Sequence, residues 1–333
     1  MKIIQKSGRI IVSIFGKTVR KNKEAGFVRH GFLKDINKNK EFFLLLLPGL
    51  LCIFCFNYLP MGGLVIAFKR LNYADGVLGS PWVGLSNFKL LFRSPDLLLV
   101  TRNTILYNLV FIAFGATIPV ALAIMMSQLR SKKMGRVYNS VMFFPYFLSW
   151  VVVSYVVYTL LQYDYGVFNR MLLPFFGKSP VNWYNEPKYW PFFLVFLNLW
   201  KSMGYSCVMY YAAIMGIDEE LFEAAAIDGA GKFRQVMTIT VPSITPIIIM
   251  LAILNIGKIF HSDFGLFFQT TMDSGALLPV TNVVDTFIFR SMRNSGDMGI
   301  SSAASFFQSV VGFVLVLTAN RIVKRIDESS ALM

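Results

Sequence analysis

Long apolar runs separated by polar loops dominate the chain from residue 42 onward. The hydrocarbon core of a bilayer, about 30 Å thick, needs roughly 20 apolar residues per helix. Six runs approach or exceed that length: residues 42–68, 104–129, 138–162, 190–216, 242–260 and 303–323. Proline and glycine inside several runs are typical of helices whose freed backbone groups are satisfied by neighbouring helices or by water. The pattern predicts an all-α integral membrane protein with six transmembrane helices.

Composition narrows the class of protein further. Mean hydropathy is +0.57 and 55% of the residues are hydrophobic, which excludes an ordinary soluble domain. The formal net charge of +14 would suit a nucleic-acid partner. In so apolar a chain, however, basic residues more often lie on the cytoplasmic side beside anionic lipid. The three cysteines lie in apolar runs and are expected to be buried hydrophobic residues, and with only two histidines no metal site is expected.

Lysine and arginine are distributed unequally between the two sides of the predicted spans. The termini, the loop at 130–136 and the segment at 217–241 carry about twice as many as the opposite side. By the positive-inside rule, both termini and the segment at 217–241 are predicted to face the cytoplasm.

The first 41 residues form a basic leader with too few apolar residues to span a bilayer. We expect this cytoplasmic leader either to lie on the membrane surface or to pack on a partner. A cleaved signal peptide is not expected, because the first long apolar run begins only near residue 42. The predicted membrane domain then covers residues 42–325, and a short tail follows at 326–333.

A polar, alanine-rich segment at 218–242 interrupts the apolar runs. Asp218 is a suitable helix N-cap, and the acidic residues after it favour a helix N-terminus. Alanines at 224–226 are strong helix formers with little bulk, and Gly229 can adopt the left-handed conformation that ends such a helix. Pro242 marks the predicted start of the next span. The segment therefore predicts a short helix and a sharp turn, which suit a groove on another protein.

The spacing in this segment resembles the EAA signature of the permease subunits of bacterial ABC transporters. The matching positions are Glu223, Ala224, Ala225, Gly229, Ile239 and Pro242, and the one departure is Val241 in place of leucine. The resemblance implies a coupling helix that docks into a groove of a partner ATPase. The residues it implies for ATPase coupling are Phe222, Glu223, Ala224, Ala225, Asp228 and Gly229.

Further segments resemble sugar permeases of the maltose and multiple-sugar type, especially the LplB/YteP-like branch. They are residues 58–69, 81–88, 200–205, 285–290 and 307–312. The resemblance implies the permease fold of type I ABC importers, in the plasma membrane of a bacterium. It also implies a second permease subunit, two ABC ATPase subunits, and an extracellular solute-binding protein that delivers oligosaccharides or polysaccharide fragments. Import would then proceed by alternating access.

Motifs for catalysis by this chain itself are missing. A phosphate-binding loop needs a leading glycine, but Ile11 and Leu172 stand at that position before the two Gly-Lys-Thr/Ser triplets. We therefore expect no enzyme activity and no cofactor in this chain, with ATP and Mg²⁺ used by partner subunits. Three alternatives remain: a permease for peptides, amino acids or lipids; a membrane-embedded enzyme, which would need clustered acids, bases or metal ligands; and a structural or receptor protein without transport.

Charges inside predicted spans indicate a substrate pathway, because each costs about 2.5–3.5 kcal/mol on insertion scales. Lys201 lies in the middle of the fourth span and Lys258 near the end of the fifth. If both face a cavity, an acidic sugar such as a uronate oligomer becomes plausible. Alternatively, Lys201 pairs with backbone or another helix, and Lys258 extends to the membrane interface. The candidate pathway residues are Asn198, Trp200, Lys201, Tyr205, Asn255, Lys258, Phe260 and His261.

The loop between the fifth and sixth spans contains another helical pattern. Val283, Val284, Phe287 and Ile288 recur at helical spacing. We expect an external helix there, which lies either on the mouth of the pathway or as a cap on the bundle.

Overall fold

The structure is a computed structural model that describes residues 39–129 and 131–326. Most of the predicted leader, most of the predicted tail at 326–333 and Arg130 of the basic loop lie outside the described residues. Within the described ranges the backbone is helical or irregular, and one isolated antiparallel bridge joins Lys69 and Trp82.

The helices follow one another with short connections. The α-helices are α1 Lys40–Ile53, α2 Gly76–Gly79, α3 Ser86–Arg93, α4 Pro95–Ser127, α5 Lys132–Phe143, α6 Trp150–Leu161, α7 Leu173–Phe175, α8 Trp190–Met215, α9 Glu219–Ile227, α10 Lys232–Gln235, α11 Val241–Gly257, α12 Leu278–Thr281, α13 Val284–Ser295 and α14 Met298–Ile326. Shorter 3₁₀ segments are Leu59–Phe68, Phe144–Phe147, Trp183–Asn185, Pro187–Tyr189 and Gly275–Leu277. Wider π-helical turns are Phe54–Tyr58, Phe168–Leu172, Val236–Thr240 and Gly265–Gln269.

Five helical segments in the described residues are long and apolar enough to cross a membrane. They are Lys40–Phe68, Pro95–Ser127, Pro187–Met215, Lys232–Gly257 and Met298–Arg325. A sixth crossing exists if the bent pair formed by Lys133–Phe147 and Trp150–Leu161 counts as one span. Five of the six predicted spans are therefore present in the described residues, and the predicted third span is replaced by the bent pair.

The prediction of one continuous third span is wrong. Its two pieces meet at an angle of 96°. Pro145 lies in the 3₁₀ turn at Phe144–Phe147, where its missing N–H disfavours a continuing α-helix. Leu148 and Ser149 are extended, and the Ser149 hydroxyl accepts a hydrogen bond of 3.3 Å from the backbone N–H of Val152. Ser149 is therefore the N-cap of a new helix, α6.

The fifth span also begins earlier than predicted. Helical backbone starts at Lys232, ten residues before Pro242. The chain passes through the π-helical turn Val236–Thr240, in which the N–H of Val241 donates to the carbonyl of Val236. Pro242 has no backbone N–H and cannot complete the regular pattern of hydrogen bonds, and a wider turn accommodates such a residue within a helix. Pro242 thus lies in the first turn of α11, as predicted, but the helical segment as a whole begins ten residues earlier.

The chain divides into two units, residues 1–62 and 63–333. In the described part of the first unit, α1 is exposed along its whole length, including Cys52, and Cys55 in the following turn Phe54–Tyr58 is exposed as well. In the second unit Cys207 is buried. The expectation that all three cysteines are buried was therefore wrong for two of them. An apolar residue in a membrane span can be covered by lipid, so hydrophobicity does not imply burial within the chain.

The core of the second unit is built around α8, which packs along α4. One cluster contains Trp183, Trp190 and Phe267, all buried, at the start of α8. A second cluster joins α4, α8 and α11 through residues such as Met126, Tyr210 and Ile244. Both clusters contain residues of α8, so this helix is at the centre of the second unit. Several of the polar residues described below belong to it.

The predicted external helix is present as α13, Val284–Ser295. Hydrogen bonds connect its start to α4: the Asn103 amide donates to the carbonyl of Asn282 at 3.1 Å, and the Thr104 hydroxyl accepts from the N–H of Val284 at 2.9 Å. Phe287 and Ile288 pack in a third cluster with α14. The helix is therefore fixed to two of the candidate spans.

Candidate functional site

An open cavity of about 380 Å³ lies at the break in the third span. Its wall includes Tyr146, Ser149, Trp150, Asn198, Lys201 and Asp263. Lys201 and Ser202 follow Asn198 by three and four positions on α8, so both lie on the same side of the helix as Asn198. The cavity combines an ammonium group, a carboxylate, an amide, hydroxyls and two large aromatic rings.

Lys201 is held at the edge of this cavity by the broken span. Its ammonium group donates a hydrogen bond of 2.9 Å to the backbone carbonyl of Tyr146. The same nitrogen lies 5.7 Å from the ring centroid of Tyr146 and 5.4 Å from that of Trp150, both within cation–π range. Within the described residues Lys201 forms no ion pair. The alternative that Lys201 bonds to backbone is thus correct, and the side chain lines the cavity as well.

Trp150 is fixed on its other side by Asp263, which lies between α11 and the turn Gly265–Gln269. The indole N–H donates to Asp263 Oδ2 at 2.6 Å. The second carboxylate oxygen, Oδ1, accepts from the backbone N–H groups of Gly265 at 3.0 Å and Leu266 at 3.4 Å. A Cβ atom at residue 265 would lie 2.3 Å from Trp150 Cδ1, so only glycine allows this approach.

Three aromatic rings stack on one another beside the cavity, and one of them, Tyr205, belongs to α8. The rings of Tyr146 and Tyr205 are 4.9 Å apart and inclined by 15°, and Phe143 stacks on the same pair at 5.6 and 6.2 Å. Tyr205 is 43% exposed. Aromatic faces of this kind are suited to the apolar faces of sugar rings, and polar groups beside them fix orientation.

The structure separates the predicted pathway residues into two groups. Asn198 and Lys201 line the cavity. Tyr205 is not part of the wall, but its ring stacks on that of Tyr146, which is. Trp200 instead packs against the core cluster that contains Leu194. The pathway roles of all these residues remain predictions.

The remaining four candidates, at and beyond the end of α11, are not part of the cavity wall. Asn255 and Lys258 are exposed. Phe260 is buried, with its ring 6.2 Å from that of Phe307. His261 Nδ1 lies 3.9 Å from Asp285 Oδ1, in a polar group separate from the cavity.

Sequence reasoning did not select Tyr146, Ser149, Trp150 or Asp263 as pathway residues. The first three come to the cavity only because the third span breaks between them. The sequence does contain one signal for this break, which is Pro145 followed by Ser149. A proline disfavours continuation of one helix, and a capping serine favours the start of another.

The coupling segment has the local structure that its sequence predicted. The Asp218 carboxylate accepts from the N–H of Glu220 at 3.1 Å and caps α9. At the other end Gly229 has φ +78°. The N–H of Ala230 donates to the carbonyl of Ala225 at 2.8 Å, and that of Gly229 to Ala226 at 3.0 Å, which is the Schellman arrangement.

The surface of α9 presents both charge and apolar groups. Glu223, Ala224 and Asp228 are exposed, whereas Phe222 and Ala225 are half-buried. Beside them Ile227 is 87% exposed. A short, doubly capped helix with small side chains and an exposed isoleucine has the form of an element that inserts into a groove.

These features together define a class of protein: membrane-length helices, a polar cavity at a broken span, and an exposed capped helix between two spans. The chain belongs to the family of binding-protein-dependent transport system inner membrane components, which it matches over residues 115–328. It is therefore a membrane-embedded transport permease.

Two relatives cover almost the whole chain, and one of them is named for saccharide transport. The polygalacturonan/rhamnogalacturonan transport system permease protein YteP of Bacillus subtilis is 33% identical over 301 residues, or 90% of this chain and 92% of the relative. The protein LplB of the same organism is 31% identical over 316 residues, or 94% of this chain and 98% of the relative. The predicted resemblance to the LplB/YteP-like branch is confirmed.

A solved structure agrees with the fold. A crystal structure of a bacterial ABC transporter involved in the import of the acidic polysaccharide alginate contains a chain that superposes with a TM-score of 0.81. That chain is 30% identical, and the match covers 90% of this chain and 100% of that one. The predicted fold class, an all-α permease of the ABC importer type, is confirmed.

Proposed function

We propose that this permease imports acidic oligosaccharides that an extracellular solute-binding protein delivers. The names of two related systems, one for polygalacturonan and rhamnogalacturonan and one for alginate, support a uronate-containing substrate. A second structure of an alginate transporter, in complex with a periplasmic protein bound to an alginate pentasaccharide, supports delivery by a binding protein; its chain matches with a TM-score of 0.79 and 30% identity.

The observation that carries the proposal is the position of Lys201. An ammonium group has three donors, and one of them is used by the Tyr146 carbonyl. The other two are available for a sugar carboxylate in the cavity. Trp150 and Tyr146 offer ring faces beside the charge, and the Asn198 amide offers a donor and an acceptor for hydroxyl groups. A sugar ring that bears a carboxylate would contact all three kinds of group at once. Its carboxylate would bind the ammonium group, its apolar face the aromatic rings, and its hydroxyl groups the amide.

Energy for transport comes, in this proposal, from partner subunits. The full transporter contains a second permease and two ABC ATPases that bind ATP and Mg²⁺, and α9 docks into a groove of one ATPase. Its exposed Glu223 and Ile227 support that role. Closure of the ATPases moves α9 as a lever and exposes the cavity alternately to either side of the membrane. The coupling segment and both chain termini then face the cytoplasm.

The test uses the complete transporter in proteoliposomes with its binding protein. We expect a galacturonate trisaccharide to stimulate ATP hydrolysis and uptake in the wild type. Lys201→Met should lower uptake about tenfold or more, because charge-assisted hydrogen bonds contribute about 1.5–3 kcal/mol. Lys178→Met, at an exposed loop lysine, is the matched control. Unchanged uptake in Lys201→Met would remove Lys201 from the substrate site.

A further inference from the structure

Asp263 lines the same cavity as Lys201 and attracts its ammonium group through space, but its hydrogen bonds are formed with other groups. Its two oxygens accept from the Trp150 indole N–H and from the backbone N–H groups of Gly265 and Leu266. Within the described residues it forms no ion pair with Lys201. The carboxylate therefore accepts three hydrogen bonds from N–H groups and none from Lys201, whose ammonium group uses one donor on the Tyr146 carbonyl.

The polar edge of the Trp150 ring is bonded to this carboxylate, and the side chain also packs against the core cluster that contains Trp190. Trp150 is the first residue of α6 and so has no preceding helical turn to pack against. The backbone at Gly265 supports one part of the ring, and the indole N–H is tied at 2.6 Å to Asp263. Lys201 lies over the ring at 5.4 Å from its centroid. The indole is thus fixed as one wall of the cavity.

We propose that Asp263 is a positioning residue that fixes the Trp150 indole as a stacking wall for a sugar ring, while Lys201, with which it forms no direct ion pair, binds the sugar's carboxylate. This inference rests on the proposed saccharide transport, and it adds the group that orients the binding surface. In this proposal Asp263 acts on transport through Trp150, so its effect on transport should require the indole N–H.

The substitution Asp263→Asn separates the two tasks of the carboxylate. Asparagine is as good an N-cap as aspartate, so its oxygen can still accept from Gly265. Its NH₂ group then occupies the position that faces the indole N–H, and a donor cannot accept that bond. Trp150→Phe removes the same bond from the other side and keeps an aromatic ring.

A double-mutant cycle on the whole transporter tests this assignment. Uptake of a galacturonate trisaccharide is measured in proteoliposomes at saturating loaded binding protein. Each single variant should lower uptake about tenfold, as expected for a lost hydrogen bond to a charged group. The double variant should be no slower than the slower single variant. Multiplication of the two losses, or unchanged uptake in Asp263→Asn, would overturn the proposal. Asp164→Asn, at an exposed loop position, is the matched control.

A second measurement needs no substrate. In the transporter labelled with 5-fluorotryptophan, the ¹⁹F resonance of Trp150 is assigned by its loss in Trp150→Phe. Asp263→Asn should move this resonance toward the position of unfolded, water-exposed tryptophan, and Asp164→Asn should not. An unmoved resonance would also overturn the proposal. If the wild type takes up no uronate, the proposed substrate fails, while the ¹⁹F result still decides whether Asp263 positions Trp150.

Discussion

The ammonium group of Lys201 donates a hydrogen bond of 2.9 Å to the backbone carbonyl of Tyr146, where the third span is broken. A charged residue inside a membrane span needs compensation, and a carbonyl at a helix break supplies part of it. The bond therefore explains how α8 tolerates a lysine in the middle of the membrane. It also places that charge beside Trp150, in the cavity where we propose that the sugar binds.

The charge at residue 201 should matter more for transport than the shape of the side chain. Lys201→Arg retains a cation with more donors, so we expect uptake of a galacturonate trisaccharide to remain within about fivefold of wild type. Lys201→Gln, of similar length but neutral, should behave as Lys201→Met does. Uptake assays on the two variants therefore show whether transport requires the charge of the side chain or only its length. Equal losses in the arginine and glutamine variants would contradict a carboxylate partner.

Gly204 should be intolerant of any side chain. A Cβ atom there would lie 1.9 Å from the carbonyl oxygen of Met142, so α8 and α5 would have to separate. Overpacking of this kind costs about 1–3 kcal/mol, and the break beside the cavity would shift with it. We expect Gly204→Ala to lower the unfolding temperature of the purified transporter and to reduce uptake. Gly115→Ala, where a Cβ meets nothing within 4 Å, should lower neither.

Asn87 should be required for folding of the segment between the first two spans. Its side-chain NH₂ group donates to the carbonyls of Ala67 and Lys69, both at 2.9 Å, and the residue is buried. Asn87→Ala leaves two buried acceptors unpaired, at about 1–3 kcal/mol for each. Thermal unfolding of the purified transporter should show a clear decrease, whereas Asn185→Ala, at an exposed asparagine, should be neutral. Equal unfolding temperatures for both variants would disprove this role.

Local rules predicted the coupling segment well. The cap at Asp218 and the left-handed Gly229 follow from residue chemistry within one helix, and both are found. The apolar runs also predicted the spans, because length and hydrophobicity are sufficient for that purpose. Helix boundaries in polar stretches were less accurate: α4 begins at Pro95, nine residues before the predicted span, because polar residues extend the helix beyond the apolar run.

The cavity could not be predicted from local sequence patterns, because the residues that form it are far apart along the chain. Trp150 and Asp263 are 113 positions apart, and Lys201 meets the Tyr146 carbonyl across 55 positions. Neither pairing is implied by spacing along the chain. Asn255 and Lys258 were selected as polar residues inside the predicted fifth span, yet a polar residue toward the end of a span is as easily exposed to solvent. Tertiary packing decided which of these residues share a cavity.

The left-handed turn at Gly229 should be necessary for coupling to the ATPases. Its φ of +78° costs a residue with a Cβ about 1–2 kcal/mol, and the Schellman bonds to Ala225 and Ala226 depend on it. In Gly229→Ala we expect weakened co-purification of the ATPase subunits and reduced stimulation of ATP hydrolysis by loaded binding protein. Gly229→Pro should have a larger effect, because proline cannot adopt a positive φ. Gly231→Ala is the matched control, since that glycine has φ −66° and open space around it. If Gly229→Pro retained full stimulation of ATP hydrolysis, α9 would not be the element that transmits motion from the ATPases.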